Sequence, residues 1–447
     1  MKHKHQSRHH NTWFSRLKNW FKNLFKSTHG HCGFPPHCGL PSGCGFFVVV
    51  GWFVFLWLVL TRIWRKPSPA IQSNQTNPKI AYISVYGIPC GISTYNEELI
   101  PHLKGCEVKI FAEYAHGNQH EHLPGDPRNL IRCWDRHDKR KSHLIKLIED
   151  YNPDVIHIGH EYGLFPKGYY FTSLLTKLKR MGKPIVVTLH SVYDHIDKVV
   201  QEACIPEIIC HTKEAKATLE AKGIDTHRIH VIPHGNEVPF NLAGEIELMP
   251  DLWNTWQASH TIFQPGFLFA YKGHKRMLEV VARLKETLPD VHYVIQASES
   301  PNNMAEHNEL HDQLVSEIQR LDIADHVTIN RGFVSKQVLL AFIRTSTCCV
   351  LPYCNHKDHD VRATSGIARL ILTTQTPLVT SNVHLFDDLN KVASKAIDDE
   401  SLYQLTLTAL TDWKVKRDQI MARTEFLKNK SWTSVAEKTV DLYKQLR

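Results

Sequence analysis

Three histidines stand directly after short apolar runs: His160 in DVIHIGHEYG, His190 in IVVTLHS and His234 in VIPHG. At neutral pH an imidazole at such a place can accept a proton or hydrogen-bond a sugar hydroxyl or a phosphate. A fourth run, KIAYISV, leads into YGIPCGISTYNEEL, where Gly87 and Gly91 open an amphipathic segment. A strand, a glycine turn and a helix start can bring backbone N–H groups to an anion, although these two glycines do not complete a dinucleotide fingerprint. Lys272–Gly273 in GFLFAYKGH and Ser365–Gly366 in ATSGIARL also sit just before helical patterns. The Lys272 ammonium could there meet a phosphate already drawn to the N–H groups. Each position is equally compatible with an ordinary structural or surface side chain, since the chain holds 30 His. The recurrence at strand ends is what points to one shared edge.

That edge requires a particular scaffold. Strand patterns fall at 79–85, 108–112, 155–159, 184–189, 208–211 and 230–232, with helical patterns such as SHLIKLIEDYN, FTSLLTKLKRMG and TKEAKATLEAKG between most of them. A second series has strands at 261–268, 291–296, 326–330, 348–352 and 377–380, separated by AYKGHKRMLEVVARLKETLPD, HNELHDQLVSEIQRLD, KQVLLAFIRTS and GIARLILTTQ. Strands alternating with helices predict parallel, doubly wound sheets, and ligands of such sheets sit beyond the strands' carboxyl ends. The stretch Ile229–Gly273 closes the first series and opens the second, so His234–Gly235 and Lys272–Gly273 are expected on the two lips of a cleft.

The expected organisation has a basic tail (1–44), an apolar span (45–64), a linker (65–78), a first Rossmann-like domain on the acceptor side (79–240), a second on the donor side (241–420), and a closing helical segment (421–447). Residues 1–78 hold ten Lys or Arg and no acid; since the whole chain is +8, residues 79–447 carry about −2. A nucleic-acid binder would carry its basic excess on the folded part, so the balance points to a membrane surface and not to nucleic acid. Residues 12–26, TWFSRLKNWFKNLFK, show the aromatic and cationic faces of an interfacial helix, a pattern a core-packed helix also fits. Cys32, Cys38 and Cys44 with nearby histidines match no common zinc spacing; acylation or a plain Gly/Pro-rich linker also fits them. Gly45–Trp64 is long enough to span a bilayer once. The remaining eight cysteines are read as reduced core residues, which favours a reducing compartment.

The motifs CGISTYNEEL, PDVIHIGHEYGLF, PIVVTLHS, VIPHGNE, GFLFAYKGH, GFVSKQVLLAFIRTSTCCVLPY and SGIARLILTTQTPLV, taken in their order and spacing over 79–447, resemble glycosyltransferase family 4. The resemblance implies the α/β GT-B architecture: two doubly wound Rossmann-like domains facing a cleft, here with an N-terminal transmembrane helix. It implies a retaining, nucleotide-sugar-dependent hexosyltransferase acting on a glycan or lipid-linked acceptor. His190 would be the active-site imidazole and Lys272 the cation on the leaving diphosphate, so that no cofactor and no metal is required. Gly91 and Ile92, His234 and Gly235, Lys272 and Gly273, and Ser365 and Gly366 would form the donor and phosphate surface, with His160 and Glu161 on the acceptor side.

The sequence departs from the family's pattern. Phe267 occupies the place of an expected Arg, Arg362 and Leu370 those of a Glu-x7-Glu pair, and Gln375 that of a Gly. Asp358 or Asp360 are candidates for a replacement carboxylate. These losses keep open a non-catalytic GT-B scaffold or sugar-nucleotide sensor, and beside it a GT-B epimerase. Nucleotide-sugar chemistry and reduced thiols favour a single-pass membrane protein with a cytosolic catalytic domain, although the basic residues flanking the span split between its two sides.

Overall fold

The computed structural model describes residues 77–115, 119–138, 141–165, 169–193, 206–237, 260–299, 303–354 and 361–447. The 12–26 segment, Cys32, Cys38, Cys44, the 45–64 run, nearly all of the linker, and Asp358 and Asp360 lie outside them. Among the described residues no helix is long and apolar enough to cross a membrane. Residues 75–447 form one compact unit.

The first sheet is built from β1 (Lys79–Ser84), β2 (Glu107–Glu113), β3 (Leu130–Trp134), β4 (Val155–His160), β5 (Ile185–Leu189), β7 (Glu207–Cys210) and β8 (Ile229–Val231). Its order is β3-β2-β1-β4-β5-β7-β8, and every pair is parallel. The central strands are apolar almost without a break, because both faces are covered. Helices α2 (Ser142–Tyr151), α3 (Tyr169–Lys179) and α4 (Lys213–Ala221) supply one core. The other core takes Tyr95 and Leu99 from α1 (Gly91–Leu99) together with residues from the end of the chain.

The second sheet contains β9 (His260–Phe267), β10 (Val291–Ser298), β11 (Val327–Arg331), β12 (Cys348–Leu351), β14 (Leu378–Ser381) and β15 (Ser394–Ala396), ordered β11-β10-β9-β12-β14-β15 and again parallel. Around it lie α5 (His274–Thr287), α6 (Met304–Arg320), α7 (Lys336–Thr345), α8 (Gly366–Leu372), α9 (Asp399–Thr411) and α10 (Trp413–Leu427). The last helix, α11 (Trp432–Leu446), leaves this half and packs Trp432, Val435, Val440 and Tyr443 into the core of the first sheet. Burial of such side chains is worth roughly 1.5–3 kcal/mol each. Buried His157 fixes the same contact, because its Nδ1 meets Tyr443 Oη and its Nε2 lies 2.8 Å from Thr188 Oγ1.

A direct link between the halves was not legible in the sequence. Residues immediately after His190 form β6 (Ser191–Tyr193), which pairs antiparallel with β13 (Val361–Ala363) from the second half. Lys336 at the start of α7 adds ion pairs to Glu98 of α1 and to Glu237. Strand β3 was also missed, because LIRCW carries a charge in its centre. Arg132 is nonetheless buried, held by both oxygens of Asp126 at 2.6 and 2.9 Å and by the carbonyls of Glu113 and Tyr86 at 3.0 Å each. The cysteine expectation needs correcting: Cys133, Cys210, Cys348 and Cys349 are buried free thiols, but Cys90 and Cys106 are half-buried and Cys354 is exposed.

Candidate functional site

The carboxyl ends of β1, β4, β5, β7 and β8 face the second half, and four of them carry the residues expected there. Three imidazoles meet around Tyr95, whose ring centroid lies 4.6 Å from that of His190, 5.4 Å from His211 and 5.2 Å from His234. His211, at the end of β7, was not singled out from the sequence, because no glycine or serine follows it to mark a turn. It decides the proton arrangement of the cluster. His211 Nδ1 lies 3.0 Å from the Ile232 carbonyl oxygen, which can only accept, so Nδ1 carries the hydrogen. A neutral His211 then has a bare Nε2, 3.3 Å from His190 Nδ1, which must be the donor. His190 Nε2 is therefore left as a lone-pair acceptor, buried and without a partner among the described residues. His234 follows the same rule: Nδ1 donates to its neighbour's carbonyl, Gly235 O, at 2.7 Å, and Nε2 becomes the acceptor.

Neutrality is set by burial. It drives the pKa of His234 down to about 3 and that of His211 to about 4, and pushes His190 well below the usual histidine range, with the neighbouring imidazoles adding to the effect on His190 and His234. His160 does not join this group. It ends β4 fully buried, stacked on Phe165 at 5.6 Å and tilted against Phe171 at 4.4 Å, inside an aromatic core. The adjacent Glu161 is half-buried. Its Oε2 accepts from Ser191 Oγ at 2.7 Å, and burial raises its pKa to about 7 against that hydrogen bond. Burial raises the pKa of Tyr271 in the second half to about 12, and the nearby Tyr193 and Glu161 of the first half add to it.

On the opposite lip Lys272 is half-buried. Its Nζ donates to Tyr353 Oη at 2.8 Å and stands 4.0 Å from that ring's centroid. Burial lowers the Lys272 pKa to about 7. The Ser365 hydroxyl interacts with the same phenol and caps α8 by accepting from Ala368 N at 3.3 Å. Gly366 faces across the cleft: a Cβ there would lie 3.8 Å from His234 Nε2. Gly91 begins α1 in the open, with Ile92 half-buried beside it. In the preceding loop, Glu97 accepts from Gly87 N at 3.0 Å and from Ser93 Oγ at 2.5 Å.

Two glycines expected to serve phosphate binding have packing reasons of their own. A Cβ on Gly235 would come within 2.1 Å of the Trp432 ring. A Cβ on Gly273, where φ is +75°, would meet Pro352 O at 1.9 Å. Glycine is thus required at both places whatever binds above them.

Residues 89–238 match the family model described as Glycosyltransferase Family 4. The chain carries a glycosyltransferase family 4 domain. Among solved structures, the chain is similar to a glycosyltransferase from Rickettsia africae (15% identity, 83% of this chain and 99% of that one, TM-score 0.64). It is similar also to sucrose-phosphate synthase from Thermosynechococcus elongatus (17%, 83% and 99%, TM-score 0.65), and to Anabaena HepE in complex with UDP and glucose (13%, 83% and 100%, TM-score 0.63). At such identities the likeness shows the fold, the GT-B arrangement of two parallel sheets. No curated protein matches the chain.

The family 4 domain thus contains the whole imidazole cluster, whereas Lys272, Ser365 and Gly366 lie beyond it. The departures from the family pattern have definite positions. Phe267 places its ring 6.2 Å from that of Phe269. Arg362 is a rung of the β6–β13 ladder, paired with Val192. Leu370 packs against the second half's core, and Gln375 is exposed. Among the described residues no cluster of His, Cys, Asp or Glu is arranged to hold a metal ion.

Proposed function

We propose that the protein transfers a hexosyl group, with retention, from a nucleoside diphosphate sugar to a hydroxyl of a glycan or lipid-linked acceptor. The observation that carries this reading is that the first half presents bare imidazole nitrogens on His190 and His234, with His234 Nε2 beside Gly366 of the second half, and that the second half carries the Lys272 ammonium. Hydroxyl donors of a sugar suit the imidazole side and a diphosphate suits the lysine side. During transfer the acceptor oxygen bonds to the anomeric carbon while the bond to the diphosphate breaks, and the hydroxyl proton passes to the departing phosphate oxygen. Charge develops on the leaving phosphate, where Lys272 and the backbone around Ser365–Gly366 would receive it. Glu161 and Ser191 would orient the acceptor. The Lys272 pKa of about 7 fits a group that becomes fully cationic only when an anion arrives.

The membrane assignment rests on residues 12–26 and 45–64, which would hold the cleft beside a membrane-displayed acceptor, with the catalytic unit in the cytosol. Cysteines introduced in the 67–76 linker are then expected to resist an impermeant label applied to intact cells, and efficient labelling would reverse the orientation. The test of the activity is a screen of radiolabelled UDP-, GDP- and ADP-sugars with the full-length protein in detergent. Label passing to acceptor, and lost in Lys272→Ala, is the expected result. A protein that binds a donor but forms no product would instead favour the non-catalytic reading, which the engagement of Arg362 in the interdomain ladder supports.

A further inference from the structure

Arg369, one turn into α8, is only 5% exposed. One of its nitrogens, Nη2, pairs with Asp388. The other two, Nε and Nη1, are buried and have no hydrogen-bond partner among the described residues. Leaving donors of a charged group unsatisfied in a protein interior is costly, so this arrangement calls for an acceptor. The surroundings add positive charge. Arg369 and Lys430 both lie against Phe426, with their charged groups 5.1 and 3.3 Å from its ring centroid. Each repels the other strongly enough to help lower the Lys430 pKa to about 8, after burial, and Asp388 opposes that effect only in part. The Arg369 charge also reaches the first half: after burial, it helps lower the pKa of His211 and of His234, and His234 faces Gly366, where the helix of Arg369 begins.

We propose that Arg369, with Lys430, forms an oxyanion site where the two halves meet, and that it takes a phosphoryl group. The unpaired Nε–H and Nη1–H supply directional donors, and Lys430 supplies a second positive charge. The phosphoryl group has two possible sources, the diphosphate of the donor reaching from the cleft or a free phosphate. If it is the donor's, Arg369 compensates for the cation that Phe267 replaces, and in that form the inference rests on the proposed sugar transfer.

The test is calorimetric titration of full-length protein in detergent with inorganic pyrophosphate and with UDP. Pyrophosphate is expected to bind the wild type, at least tenfold more weakly to Arg369→Gln, and at least threefold more tightly to Asp388→Asn, in which the competing carboxylate is gone. Competition between UDP and pyrophosphate would assign the site to the donor, and simultaneous binding would make it a separate phosphate site. Equal pyrophosphate affinity in all three proteins overturns the inference, even if the variants melt at lower temperature, and so does a wild type that binds no pyrophosphate. If Arg369→Gln does not fold, the sign of the Asp388→Asn effect decides. Sugar transfer that persists with unchanged affinities would sink this site and leave the proposed function standing. Pyrophosphate binding without any sugar transfer would do the reverse.

Discussion

The two lips of the cleft solve opposite electrostatic problems. On the first half, His190, His211 and His234 are packed around Tyr95 and kept neutral by burial. A chain of hydrogen bonds that starts at the Ile232 carbonyl fixes which nitrogens are bare. On the second half, Lys272 is held against an aromatic phenol with its pKa lowered to about 7, so it is poised between charged and neutral. The contrast teaches that the histidines, which look in the sequence like phosphate ligands, are neutral and present bare acceptor nitrogens instead of charge. On the proposed function, charge for the diphosphate comes from the other side.

Lys272→Ala should break the contrast most severely. It should lower transfer by about two orders of magnitude, roughly 3 kcal/mol of transition-state stabilisation, and weaken nucleoside diphosphate binding. His190→Gln should lower transfer while leaving that binding within about threefold. Steady-state kinetics beside calorimetry separates the two; equal loss of nucleotide affinity in both variants would erase the division of labour.

The histidine side is the more sensitive to acid. The folded-state pKa values of His157, His160 and His234 are about 3, below the unfolded value of about 6.5. The unfolded chain therefore binds more protons between these limits, and stability falls as pH falls from 6.5. The loss should approach about 2 kcal/mol per histidine at pH 5. Urea unfolding at pH 7 and pH 5 measures it, and an unchanged midpoint would mean that the imidazoles protonate as readily in the folded chain as in the unfolded one.

The lysine side should respond in the opposite range. Above pH 7 Lys272 must take up a proton when it binds a diphosphate. Nucleotide affinity should then fall by up to about tenfold for each pH unit between 7 and 9, and Lys272→Arg should flatten that slope. Calorimetry in buffers of different ionisation enthalpy would show the proton uptake directly.

A smaller effect probes the helix that crosses between the halves. Tyr443→Phe leaves His157 Nδ1 unpaired in the core and should cost about 1–3 kcal/mol, with nucleotide affinity unchanged. A change in affinity instead would show that the helix transmits to the cleft.

The sequence by itself determined the alternation of strands and helices, because parallel strands buried on both faces read as short apolar runs bounded by glycine and polar turns. It also placed His190, His234, Lys272 and Ser365–Gly366 at element ends, which is where open α/β sheets bind ligands. What it did not reveal was which neighbours meet. His160 and His211 look equivalent in a linear reading, both closing a strand, yet the first turns into an aromatic core and the second sets the tautomer of His190. Arg132 and Arg369 are likewise two arginines in apolar surroundings. One has its donors matched by a nearby carboxylate and by carbonyls from other segments, and the other has two donors without a partner among the described residues. Periodicity is a local property and survives in the sequence. Protonation, burial and the sign of a site depend on groups brought together from distant segments, and only the tertiary structure decides them.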